Sequence, residues 1–219
     1  MSPRFELRGA SVHYQGSPAL QDITLSIEPG ERIALVGRSG AGKSTLLRLL
    51  YETARADTAL VAQDLALVRT LSVFHNVYMA RLRHHGAFYN LVNLLRPMAG
   101  EVASVRPVLR RLDLEDKLFE PAGQLSGGQQ QRTAVARALH QGSPVVMADE
   151  PVSAVDEHQS RRVLDAIVEA SQTVVLAMHD ITLALAYAER IIGLEAGRIT
   201  LDQPTAGMRP SDLDGLYGS

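Results

Sequence analysis

Apolar and polar residues alternate over the first thirty positions, as in Phe5-Glu6-Leu7-Arg8 and Ile23-Thr24-Leu25-Ser26-Ile27. A period of two puts every second side chain on one face. These stretches therefore predict antiparallel strands, broken by turn residues at Gly16-Ser17-Pro18 and Pro29-Gly30. Arg32-Ile33-Ala34-Leu35-Val36 changes the pattern to a continuous apolar run bounded by glycine, which suits a strand covered on both faces. A Gly-rich turn follows, then a helix through Leu46, Leu47, Leu49 and Leu50. From Leu71 to Glu120 the periodicity is helical, with breaks expected near Arg96-Pro97 and Arg106-Pro107. Ser126 precedes two glycines and a run from Gln129 to His140, the pattern of a capped helix start. Two further apolar strands, Val145 to Ala148 and Val174 to Met178, flank a helix from about Asp156 to Ala170. That order implies a parallel crossover. Ile191 to Leu194 and Arg198 to Leu201 read as a hairpin around Glu195-Ala196-Gly197.

Composition narrows the class. With 219 residues, 46% hydrophobic and 21% charged, the chain can bury one sizeable core, or a core and a small satellite. No apolar run reaches the ~18–20 residues of a membrane span, and the first residues lack the apolar stretch of an export signal. The absence of cysteine excludes disulfides and thiolate metal sites and fits a reducing cytoplasm. A net charge of -2 gives no reason to expect nucleic acid. The densest basic stretch, Arg81-Leu82-Arg83-His84-His85, is too short to change that.

Chemistry enters at Gly37-Arg38-Ser39-Gly40-Ala41-Gly42-Lys43-Ser44-Thr45, which fits the phosphate-loop pattern G-x-x-x-x-G-K-[ST]. Glycines let the backbone curl so that its N–H groups converge, and the following helix adds the positive end of its dipole. Lys43 can reach the β- and γ-phosphates of a nucleotide, and the Ser44 hydroxyl suits Mg²⁺, a hard cation. The strand ending in Asp149-Glu150 supplies the complementary part. At a strand's end both side chains can serve one cleft. Asp149 is placed to hold Mg²⁺ and Glu150 to deprotonate a water for attack on the γ-phosphate.

Leu125-Ser126-Gly127-Gly128-Gln129 lies between these two motifs. The stretch from Leu125 to Pro151 resembles ABC ATPases almost residue for residue, and the resemblance runs from Val12 to about Leu201. It implies an α/β fold: a P-loop NTPase core with a mostly parallel sheet, an N-terminal antiparallel β-subdomain, and a helical subdomain carrying the signature motif. The expected bounds are about 1–66 and 143–219 for the β and core parts and about 67–142 for the helical part. The resemblance also implies roles. Tyr14 matches the aromatic that stacks on adenine, and Gln63 the Q-loop glutamine near Mg²⁺ and the attacking water. His179 matches the switch histidine at the γ-phosphate, and Ser153-Ala154-Val155-Asp156 the D-loop. In such proteins Ser126, Gly127, Gly128 and Gln129 close over the ATP of a second cassette, so a homodimer and integral membrane permease subunits are the expected partners.

Finer resemblances point to an importer. Thr70-Leu71-Ser72-Val73-Phe74-His75-Asn76-Val77 is importer-like. Phe88 to Pro97 and Asp149 to Ser153 look most like phosphonate-importer ATPases. The resemblance implies a peripheral location on the cytoplasmic side of the inner membrane, with Val68 to Leu95 as the docking surface. It leaves open an exporter and a regulatory switch without transport. One departure stands out. Only 20 positions separate Lys43 from Gln63, where relatives place a stretch about twice as long, so the β-subdomain should be trimmed.

Overall fold

A computed structural model describes residues 3–217. The chain runs through β1 (Phe5–Tyr14), β2 (Ser17–Ile27), β3 (Arg32–Val36), α1 (Lys43–Thr53) and β4 (Thr58–Val61). The helical middle contains α2 (Val73–Tyr78), α3 (Ala87–Leu95), α4 (Ala99–Arg111) and α5 (Gly127–Gln141). The remainder is β5 (Val145–Asp149), α6 (Glu157–Ala170), β6 (Thr173–Ala177), α7 (Ile181–Tyr187), β7 (Arg190–Glu195) and β8 (Arg198–Pro204). Two compact units result. The first is Met1–Gln63, Pro144–Glu150 and Ser171–Ser219; the second is Asp64–Ser143 and Pro151–Ala170.

The first unit holds both sheets. β1 and β2 pair antiparallel, while the larger sheet has the order β4-β5-β6-β3-β7-β8, parallel except for β8. This matches the expected fold class. Parallel strands covered on both faces must be apolar throughout, and β5 and β6 are buried at every position. Helix α1 turns Leu46, Leu47 and Leu50 into a core with Ile33, Leu35, Val145, Met147 and Val175. Burying each such side chain contributes about 1.5–3 kcal/mol. Between α1 and β4 there is only a 3-10 turn, Arg55–Asp57, so this connection is as short as the residue spacing predicts. The first hairpin turns at Gln15-Gly16, with φ of 48° and 83°, and Ser17 and Pro18 already belong to β2. The expected turn was one residue too late. Two consecutive positive φ values make the two-residue loop whose twist suits a hairpin.

The second unit is helical. Val73, Phe74 and Val77 of α2 are buried, as are Val105 and Leu109 of α4 and Ala134, Val135 and Ala138 of α5. Asn76, also buried, ties down the preceding loop: its Oδ1 accepts from the Val68 amide at 2.8 Å and its Nδ2 donates to the Val68 carbonyl at 3.0 Å. The break at Arg96-Pro97 is present between α3 and α4. The one expected at Arg106-Pro107 is absent, and α4 runs through Pro107. An interior proline costs about 3 kcal/mol. Val105 and Leu109, fully buried on either side, offset it. Packing groups Pro151–Ala170 with these helices, a placement that differs from the division at about residue 143 expected from the sequence. The contacts explain it: the Gln131 side-chain amide nitrogen, Nε2, donates to Ser153 Oγ at 3.1 Å, and its Oε1 accepts from the Ala154 amide at 2.9 Å.

His140 near the end of α5 is 2% exposed, and its Nε2 has no hydrogen-bond partner. Burial, reinforced by the charges of Arg81 and His84, pushes its pKa down to about 4 from the ordinary 6.5. The unfolded chain therefore binds a proton that the folded chain refuses between those values. Stability is full above pH 6.5 and falls by up to about 3 kcal/mol as pH drops towards 4. Urea unfolding across that range checks this, with His140→Gln expected to flatten the slope.

Candidate nucleotide site

The loop from Gly37 to Gly42 links β3 to α1, and its shape depends on glycine. Gly37 has φ of 140°, and a Cβ there would lie 2.2 Å from the Leu194 carbonyl oxygen. Gly42 caps α1 at φ 108°, where a Cβ would meet the Ala19 carbonyl oxygen at 2.9 Å. The Lys43 side chain folds back under the loop and donates to the carbonyls of Gly37 at 2.8 Å and Arg38 at 3.1 Å. Burial lowers its pKa, while Glu150 and Asp149 pull the other way. A cleft of about 190 Å³ lies over the loop, lined by Ser39, Gly40, Gly42, Lys43, Ser44 and Thr45 together with Ala19, Gln63, Glu150 and His179.

Gln63, Glu150 and His179 arrive from the carboxyl ends of the neighbouring strands β4, β5 and β6. β5 ends in Asp149, followed by Glu150, and β6 is followed by Met178 and His179. Glu150 sits at φ 51°, unusual for a side-chain-bearing residue, and its amide donates to the Ala177 carbonyl at 2.9 Å. That turn brings its carboxylate to His179, with Oε1 2.8 Å from Nε2. Asp149 is buried and hydrogen-bonded to Ser44, yet its Oδ1 has no partner. Burial raises its pKa; the Ser44 bond lowers it, Glu150 raises it, and Lys43 and His179 lower it.

The cleft thus gathers half of the residues expected from the sequence; Asp149 is not in its lining but is hydrogen-bonded to Ser44, which is. Gly37, Arg38 and Ala41 shape the loop rather than line the cleft. Ala41 is buried, and its carbonyl accepts from the Gly197 amide at 3.1 Å. Tyr14 lies at the tip of the β1–β2 hairpin, half-exposed, and does not line the cleft. Ala19 does line it, and no motif marks it. Its position follows from β2 alternation, which points Leu20 into the core.

Ser126, Gly127, Gly128 and Gln129 belong to the second unit. Ser126 caps α5 by accepting from the Gln129 amide at 3.3 Å, while Gln129 Oε1 accepts from the Ser126 amide at 2.9 Å. This reciprocal box satisfies two helix-end donors. Gly128 is pressed against the next loop, where a Cβ would lie 2.7 Å from the Ala154 carbonyl oxygen. Among the described residues no group of three or more His, Cys, Asp or Glu could hold a metal by itself, and no helix is long and apolar enough to cross a membrane.

Residues 20–153 match the family described as ABC transporter. Among curated proteins, the phosphonates import ATP-binding protein PhnC 1 of Pseudomonas syringae pv. tomato is 39% identical, over 94% of this chain and 88% of the relative. PhnC 1 of Cupriavidus metallidurans is 34% identical over 253 aligned positions, covering 100% of this chain and 88% of the relative. An alignment longer than the 219-residue chain means that this relative carries residues without a counterpart here. Among solved structures, the dimeric post-hydrolysis state of the ATP-binding cassette MJ0796 with ADP and Pi superposes with a TM-score of 0.80. It is 27% identical, over 93% of this chain and 99% of that one.

Proposed function

Since the chain belongs to the ABC transporter family, we propose that it hydrolyses ATP as one half of a cassette dimer and drives solute import through separate permease subunits. A phosphonate or related oxyanion is the cargo class, as in the names of its relatives. The observation that carries this reading is the cleft where Lys43 and the loop share a lining with Glu150 and His179, with Asp149 hydrogen-bonded to Ser44 of the same lining. Lys43 and the loop amides bind the β- and γ-phosphates of ATP. Glu150 takes the proton of a water whose oxygen bonds to the γ-phosphorus, as the bond to the bridging oxygen of ADP breaks. His179 orients the Glu150 carboxylate through their contact. Ser44, Asp149 and Gln63 fit Mg²⁺: the unpartnered Asp149 oxygen beside the Ser44 hydroxyl is a hard oxygen donor set. When bound, the ion would neutralise phosphate charge. Tyr14 is assigned to the adenine face.

Ser126 to Gln129 serve the nucleotide of the second cassette, since a capped helix start offers amides and positive dipole to a γ-phosphate. Neither cassette completes a site alone. The helical part, about 67–142, carries the permease-docking surface. There an apolar cleft of about 250 Å³ is lined by residues including Leu71, Tyr78, Leu82 and Leu91. Phe88 and Leu95, each 80% exposed, extend the apolar surface of α3. The location is peripheral, on the cytoplasmic face of the inner membrane, and nucleic acid is not a partner. The short turn at Arg55–Asp57 favours a second reading, an ATP-driven switch without transport. Affinity capture from detergent-solubilised membranes separates the two. Co-purification of a multispanning protein is expected, and a purely soluble partner would sink the transport reading.

A further inference from the structure

The chain after β8 returns to the phosphate loop. A 3-10 segment, Pro210–Leu216, is anchored by Leu213, which is fully buried, and packs on α7 and β7. Leu216 rests on Gly193, where a Cβ would lie 2.7 Å from Leu216 Cδ1. Gly193 is the β7 residue paired with Val36, immediately before Gly37. The missing side chain at Gly193 therefore makes room for Leu216, and Leu216 delivers the next residue, Tyr217, to the loop. There the buried Gly37 amide donates to the Tyr217 hydroxyl at 3.3 Å. The Gly37 carbonyl in turn accepts from Lys43 Nζ. One residue of the loop is held at its N–H by Tyr217 and at its carbonyl by the phosphate-binding lysine.

We propose that Tyr217 is a positioning residue for the phosphate loop, fixing Gly37 and through it Lys43 in the conformation that receives nucleotide phosphates. The inference rests on the reading of this cleft as an ATP site. A buried N–H without an acceptor is costly, and a φ of 140° leaves Gly37 free to relax once that bond is gone. A loop that must be re-ordered on binding loses affinity for every phosphate-bearing ligand equally. The chemical step keeps its Glu150 and is unaffected.

The test is Tyr217→Phe, which removes only the hydroxyl. Calorimetric Kd values for ATP and ADP are expected to rise together by about threefold to tenfold, the scale of one neutral hydrogen bond. KM should follow, with kcat within about twofold and the melting midpoint lower by about 2–4 °C, the share of one hydrogen bond. Leu216→Ala, which withdraws the anchor, should reproduce the same KM-against-kcat split, and it carries the test if the phenylalanine variant does not fold. Unchanged Kd in both variants, or a fall in kcat at constant Kd, overturns the role. If the wild-type protein binds neither ATP nor ADP, the nucleotide site itself is wrong and the inference goes with it.

Discussion

Glu150→Gln is expected to lower ATP turnover by about 10²–10⁴-fold while nucleotide binding survives. Glutamine keeps the size of the side chain and an oxygen that can accept from His179, now 2.8 Å from Glu150 Oε1. What it loses is the capacity to take a proton from water. The parts proposed to hold phosphate, Lys43 and the loop amides, are untouched. ATP should therefore bind without being cleaved, and the variant should collect as an ATP-dependent dimer on a sizing column. The charge change has a local consequence as well. Glu150 is one of the groups raising the Asp149 pKa, so its neutralisation should lower that pKa and keep Asp149 ionised. A Glu150→Gln protein with wild-type turnover would remove Glu150 from the role of base.

Gly37→Ala should be the most damaging single methyl in the loop. At φ 140° an alanine is strained before any contact is counted, and its Cβ would stand 2.2 Å from the Leu194 carbonyl oxygen. Leu194 is held in β7, which pairs with both β3 and β8, so it cannot retreat cheaply. The loop must yield, and with it the Gly37 carbonyl that accepts from Lys43. A loss of about 3 kcal/mol or more in urea unfolding is expected, together with loss of ATP binding. Gly40→Ala is the matched control. Its φ of 79° is also unfavourable for alanine, but nothing lies within 4 Å of the added carbon. Its cost should be about 1 kcal/mol. Equal midpoints for the two variants would show that the collision with Leu194 does not matter.

Features with a local cause were legible in the chain. The strand–loop–helix at Gly37 to Lys43 needs only an apolar run, glycines and a helix former. Ser126 and Gln129, three apart, announce the reciprocal cap that the structure contains. Asp180 caps α7 from one side, accepting from the Leu183 amide at 2.9 Å, a signal present in the sequence but unread. The break expected at Pro107 failed for the opposite reason. A proline's local penalty is visible in the sequence, whereas the burial of Val105 and Leu109 that outweighs it is not.

By itself, then, the sequence determined the local parts: the glycine-rich loop before α1, the carboxylates that end β5, and the residues that cap α5, because short-range stereochemistry and motif spacing encode these. Only the tertiary structure decided how they meet. β5 and β6 lie side by side, so Glu150 reaches His179, and an unpartnered Asp149 oxygen stands beside Ser44. Likewise, only the fold brings Tyr217 to Gly37, 180 positions away, through the gap that Gly193 leaves beside β3. Contacts between distant residues depend on which strands pair and how much room their side chains leave. No local pattern records that.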